Sequence, residues 1–202
     1  MAENSAQAAR LFIAVELPEE TKRELSHVQE GLKRACGYCP ARWVAPDSIH
    51  LTLSFLGDVP ILKIDGIKDA LTQVGADFKT FDLSLDGVGA FPNLERPHVV
   101  WVGLGGDTGK LSSMQKKLEG LLALLGFNLE NRPFSPHLTL ARVRDEASPA
   151  DKKRLGQAIG STTCRDDCLF SVHEISLIKS YLTPAGPVYT VLFSAPLGSE
   201  NH

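Results

Sequence analysis

The tetrapeptide His50-Leu51-Thr52-Leu53 recurs unchanged as His137-Leu138-Thr139-Leu140. Each copy alternates polar and apolar residues. In a β-strand, successive side chains point to opposite faces, so each copy puts His and Thr on one face and both Leu on the other. The apolar face buries against helices. The other face carries imidazole and hydroxyl and is no ordinary core. Continued along the first strand, the parity places Ile49, Leu51, Leu53 and Phe55 on the buried side and His50, Thr52 and Ser54 on the other. In the second it places Leu138 and Leu140 opposite His137, Thr139 and Ala141.

The rest of the chain reads as strands and helices around these two. Arg10 to Leu17 is a strand ended by Pro18, and Glu19 to Ala35 has helical periodicity through Leu25, Val28 and Leu32 with acidic residues in its first turn. Arg42-Trp43-Val44 is extended, and Ile49 to Leu56 is the first motif strand. Ile61 to Val74 is helical. Phe81 to Phe91 and His98 to Leu104 are strands joined through Pro92-Asn93. Leu111 to Leu125 is an amphipathic helix closed by Gly126. His137 to Val143 is the second motif strand, which Pro136 straightens at its entry. Pro149 to Ile159 is a helix, and Phe170 to Leu182 pairs with Pro187 to Phe193 around Thr183-Pro184-Ala185-Gly186. Strand pairs lie side by side as well as alternating with helices, which indicates an α+β fold. The duplicated strand implies two related lobes, each supplying one inner strand to a central groove. Residues 10–197 form this single unit, with residues 1–9 and 198–202 expected as disordered tails.

A chain of 202 residues with net charge −3 is large enough for a proper core and carries no electrostatic nucleic-acid coat. That leaves room for a nucleotide or an RNA end held by local cations, and Arg132, Arg142 and Arg144 gather around His137. The first nine residues lack a signal-peptide core, and no apolar run spans a bilayer, so the expectation is a soluble cytoplasmic protein; nothing suggests more than a monomer. Cys36-x-x-Cys39 and Cys164-x-x-x-Cys168 raise a four-thiolate zinc site, but the uneven spacing favours free thiols. Cys36-Gly37-Tyr38-Cys39 ends a helix, where a redox pair would open one. The run from Gly103 to Lys110 imitates a phosphate loop but has Leu104 and Leu111 where a glycine and a hydroxyl are needed.

Paired His and Thr suit phosphate-ester chemistry. In-line displacement needs one group to take a proton from the nucleophile and another to give one to the leaving oxygen. Imidazole titrates near neutrality and serves as either. A hydroxyl two residues along the same face donates to a non-bridging phosphate oxygen. No metal or other cofactor is required.

The motifs and their flanks resemble the 2H phosphoesterase superfamily, and within it the bacterial RNA 2′,3′-cyclic phosphodiesterase branch, also called 2′–5′ RNA ligase. The resemblance runs from about Arg10 to Leu197 through RLFIAVELP, RWVAPDSIHLTLSFLGDVP, GVGAFPNLERPHVVWVGL, RPFSPHLTLARV and ISLIKSYLTPAGPVYTVL. It implies a bilobal α+β fold, two pseudo-symmetric lobes with antiparallel sheets lining a central cleft. It also implies metal-independent opening of RNA or nucleotide 2′,3′-cyclic phosphate to a 2′-phosphomonoester, with 2′–5′ ligation in the reverse sense in some members. His50 and His137 would be the acid–base pair, Thr52 and Thr139 the phosphate hydroxyls, and Arg142 a phosphate-contacting arginine. In one assignment His50 protonates the departing O3′ and His137 activates water; the sequence does not distinguish it from the reverse.

Ser54 stands where relatives often carry a longer polar side chain, and His98, before Val-Val-Trp, reads as a strand-edge residue. Aromatic candidates for stacking on a base are Phe55, Phe91, Trp43 and Trp101; parity assigns Phe55 to packing and leaves Phe91 as the better one. Competing readings are a 2′–5′ oligonucleotide phosphodiesterase and a non-catalytic nucleotide- or RNA-binding module.

Overall fold

The computed structural model describes residues 8–128, 133–165, 168–184 and 186–198. Its strands and α-helices, in chain order, are β1 (Ala8–Glu16), α1 (Glu19–Cys36), β2 (Ala41–Trp43), β3 (His50–Pro60), α2 (Ile64–Asp77), β4 (Phe81–Phe91), β5 (Val99–Gly106), α3 (Thr108–Leu124), β6 (His137–Val143), α4 (Pro149–Gly160), β7 (Leu169–Val172), β8 (Glu174–Thr183) and β9 (Gly186–Pro196). The fold is α+β.

All these strands join one sheet in the order β7-β4-β5-β6-β3-β1-β8-β9, with β2 beside β6. Every strand-to-strand pairing is antiparallel. The motif strands β3 and β6 sit at the centre, flanked by β1-β8-β9 on one side and β5-β4-β7 on the other. These halves are the two lobes. Between the motif strands the ladder holds at a single residue pair, Leu51 opposite Leu138. The lobes therefore splay from a narrow seam and leave a cleft on the His/Thr face.

The opposite face is the core. Leu51, Leu53, Leu138 and Leu140 are buried there with Leu25 and Leu32 of α1, Leu71 of α2, Leu118 of α3 and Leu155 of α4. The helices pair α1 with α4 and α2 with α3. Local chemistry fixes their ends: Glu19 and Glu20 sit in the first turn of α1, and Ser148 and Asp151 form a capping box on α4. Gly126, at φ 77°, follows the end of α3 as the left-handed residue that stops it.

Two local expectations change. β1 starts at Ala8, inside the segment read as a tail. The run from Phe170 to Leu182 is two strands: β7 pairs with β4 in one lobe and β8 with β1 in the other, so the chain crosses between lobes at His173. Periodicity does not reveal such a crossing, because strand-forming apolar residues continue on both sides of His173 with no Gly or Pro between them.

None of the four cysteines is in a disulfide. Cys36 ends α1, whereas Cys168 lies against Thr21 in the first turn of the same helix. Fifteen residues of helix separate those ends by roughly 22 Å, so the two pairs share no metal. Among the described residues, no group of three or more His, Cys, Asp or Glu side chains is placed to hold one, and no helix is long and apolar enough to cross a membrane.

Candidate active site

With Leu51 opposite Leu138 in antiparallel register, His50 falls across from Thr139 and Thr52 across from His137. Each histidine faces the hydroxyl of the other lobe, and the imidazoles occupy the diagonal. In a regular ladder such a diagonal spans about 7–8 Å, enough to bracket one phosphate.

The two imidazoles are held alike. Nδ1 of His50 lies 2.9 Å from the Ser48 carbonyl oxygen, and Nδ1 of His137 lies 2.7 Å from the Ser135 carbonyl oxygen. A carbonyl only accepts, so each Nδ1 carries a proton and each Nε2 is left for the cleft. Their walls differ. Phe12 stacks on His50 at 4.6 Å, and Tyr189 meets it edge-on at 5.2 Å. Burial, only partly offset by the bond to Ser48, holds the His50 pKa below its ordinary value and favours the neutral ring. His137 meets the edge of Phe91 at 5.0 Å, and Phe91 leans on Trp101 at 5.2 Å. The Trp101 indole lies over Gly89, where an added Cβ would come within 2.3 Å of the ring.

Past Thr52 and Thr139 the simple parity fails, in the same way in both strands. Along β3, Thr52 pairs with Ala14 and Ser54 with Ile13, so Leu53 is an extra residue. Along β6, Thr139 pairs with Trp101 and Ala141 with Val100, so Leu140 is extra. A β-bulge of this kind inverts the faces of the residues that directly follow it. Leu53 and Ser54 both turn inward, as do Leu140 and Ala141, and Ser54 is only 7% exposed. Phe55 and Arg142 swing to the cleft. Phe55, expected in the core, is 62% exposed and tilts against Phe12 at 6.1 Å. Ala141, expected on the His137 face, is buried, and Arg142 takes that side.

The cleft has two parts that meet at Thr52 and Phe55. One, about 370 Å³, is lined by Arg10, Phe12, His50, Thr139, Arg142 and Tyr189. The other, about 590 Å³, is lined by Phe55, Phe91, Pro92, Phe134, Gln115 and His137 and is largely apolar. The structure thus brings together His50, His137, Thr52, Thr139, Arg142 and Phe91. Trp43 lies elsewhere, under Lys33 of α1. His98 is exposed at a strand edge, and Arg132 lies outside the described residues.

Arg10, Phe12 and Tyr189 were missed by sequence reasoning, and Phe55 was named as a stacking candidate but assigned to packing. Arg10 and Phe12 share a parity face in β1, and that signal was readable. Phe55 had none, because only the bulge exposes it. Tyr189 reaches His50 from β9, and its phenol pKa is raised by burial, against the pull of Arg142 and Arg10.

The profile of a family described as LigT-like phosphoesterase matches the chain twice, over residues 15–101 and 105–189, one segment for each motif. An RNA 2′,3′-cyclic phosphodiesterase of Methanothermobacter thermautotrophicus is 35% identical over 181 residues, covering 90% of this chain and 95% of that one. The crystal structure of a Thermus thermophilus protein superposes with TM-score 0.78 at 29% identity, over 95% of this chain and all of the other. That of Escherichia coli LigT complexed with 3′-AMP gives TM-score 0.73 at 30% identity, over 94% and 98%.

Proposed function

The chain belongs to the LigT-like phosphoesterases, within the 2H phosphoesterase superfamily, and from that premise we propose that it opens RNA or nucleotide 2′,3′-cyclic phosphates to 2′-phosphomonoesters by paired-histidine catalysis. The observation that supports the mechanism is the Leu51–Leu138 register, which puts His50 across from Thr139 and Thr52 across from His137. Water attacks phosphorus, the P–O3′ bond breaks, one Nε2 takes the water's proton and the other gives a proton to O3′. The lowered pKa of His50 supports it as the acceptor and His137 as the donor, the reverse of the other assignment. Thr52 and Thr139 donate to the non-bridging oxygens from either lobe. Arg142 supplies positive charge opposite the negative charge that builds on the phosphorane, and Phe91 offers a face to the base from the apolar part of the cleft. These residues supply both proton transfers and the charge, so we assign no metal.

Adenosine 2′,3′-cyclic phosphate, incubated with the protein and resolved by chromatography, should yield adenosine 2′-phosphate, with the same rate in EDTA. A 3′-phosphate product, or no turnover, would refute the reading. A rate that falls in EDTA and returns with a divalent cation would remove its metal-free form.

A further inference from the structure

The carbonyl of the extra residue in each bulge faces a helix and takes a side-chain donor from it, in addition to any backbone partner. Two buried glutamines supply these donors. Gln29 of α1, 2% exposed, donates from Nε2 to the Leu140 carbonyl at 2.9 Å and to the Val44 carbonyl at 2.8 Å. Gln115 of α3, 5% exposed, donates from Nε2 to the Leu53 carbonyl at 3.4 Å. Leu53 and Leu140 are the equivalent extra residues of the two motif strands. The arrangement is crossed: the helix preceding each motif strand holds the bulge of the other one.

We propose that Gln29 and Gln115 are positioning residues of the active site, Gln29 fixing the bulge that turns Arg142 into the cleft and Gln115 the bulge that turns Phe55 there. A regular ladder in β6 would direct the Arg142 guanidinium into the core and Ala141 into the cleft. The bulge must therefore stay at one residue, and there it presents the Leu140 carbonyl to α1. An apolar side chain of the same length fills the space but leaves that carbonyl with one donor fewer; the Val44 amide at 2.9 Å remains. The glutamine pair is thus tied to the direction of the sixth residue of each motif strand.

The proposal rests on the catalytic reading above, and two double-mutant cycles test it. Gln29→Met should cut kcat/KM for adenosine 2′,3′-cyclic phosphate about tenfold, mainly through KM, and weaken binding of adenosine 2′-phosphate by a similar factor. In an Arg142→Ala background the same substitution should cost neither. Gln115→Met should cost about threefold alone and nothing further beside Phe55→Ala, in keeping with its longer bond. Melting temperature should drop equally with and without the partner substitution, which separates loss of packing from loss of positioning. Losses of activity and binding that persist undiminished beside Arg142→Ala and Phe55→Ala would overturn the proposal, as would full activity in both glutamine variants. If Gln29→Met fails to fold, the Gln115 cycle decides. If the wild-type protein does not turn the cyclic phosphate over, the catalytic reading fails, and binding of adenosine 2′-phosphate in the same cycles still decides this one.

Discussion

The two motif strands share a tetrapeptide, a backbone bond from Nδ1, a bulge at the fourth residue and a glutamine behind it, yet they end differently. The sixth residue is Phe55 in β3 and Arg142 in β6. His50 sits between Phe12 and Tyr189, while His137 touches the edge of Phe91. In the proposed mechanism the repeat supplies two equivalent proton-transfer positions, and the surroundings make them unequal. A hydrolysis needs that inequality, since one imidazole must start neutral and the other charged.

The largest test of the shared part is removal of either imidazole. His50→Ala and His137→Ala should each lower kcat for adenosine 2′,3′-cyclic phosphate by ~10²–10⁴, the usual worth of a general acid or base. Undiminished turnover in one of them would break the equivalence of the copies. Arg142→Ala tests the unequal part: kcat/KM should fall about 10- to 100-fold, with steady-state kinetics showing much of it in KM, as befits a charged contact. Phe55→Ala should cost far less, about two- to fivefold, below the worth of a full base–aromatic stack, because Phe91 remains as the stacking face. An Arg142→Ala loss no larger than that of Phe55→Ala would mean that the two sixth residues are interchangeable. Next come Thr52→Val and Thr139→Val, each expected to slow turnover about three- to tenfold and to nearly equal extents. Unequal losses, read from kcat of the pair, would show that the phosphate leans toward one lobe.

The smallest effect is on stability. The folded state holds His50 below its ordinary value of 6.5, so the unfolded chain binds more protons as the pH falls through that value. His50 therefore makes stability decline on acidification from about 6.5 down to its lowered folded pKa, and levels off below it. Urea melts of His50→Gln across that window should show a flatter decline than the wild type. An unchanged slope would remove burial of His50 as the distinguishing feature of the first copy.

Much of this was legible in the residues. Alternation within four residues is a local property of an extended backbone, so the joint facing of His50 with Thr52, and of His137 with Thr139, followed from the tetrapeptide. Most elements followed as well: β4 and β6 run over the expected residues, because apolar–polar alternation bounded by turn residues states its own limits. What failed shares one cause. Ser54, Phe55 and Ala141 were placed on the wrong faces, and Phe170 to Leu182 was read as one strand. In each case the outcome depends on a partner far along the chain.

The sequence by itself determined that two identical polar faces exist and which side chains they carry, because strand parity acts between neighbours. Only the tertiary structure decided that the two faces meet at Leu51 and Leu138, that each histidine opposes the other lobe's threonine, and that Phe55 and Arg142 rejoin the cleft. Register and bulges are settled by hydrogen bonds to β1, β5, α1 and α3, tens of residues distant. No local pattern can encode a ladder whose other half lies elsewhere.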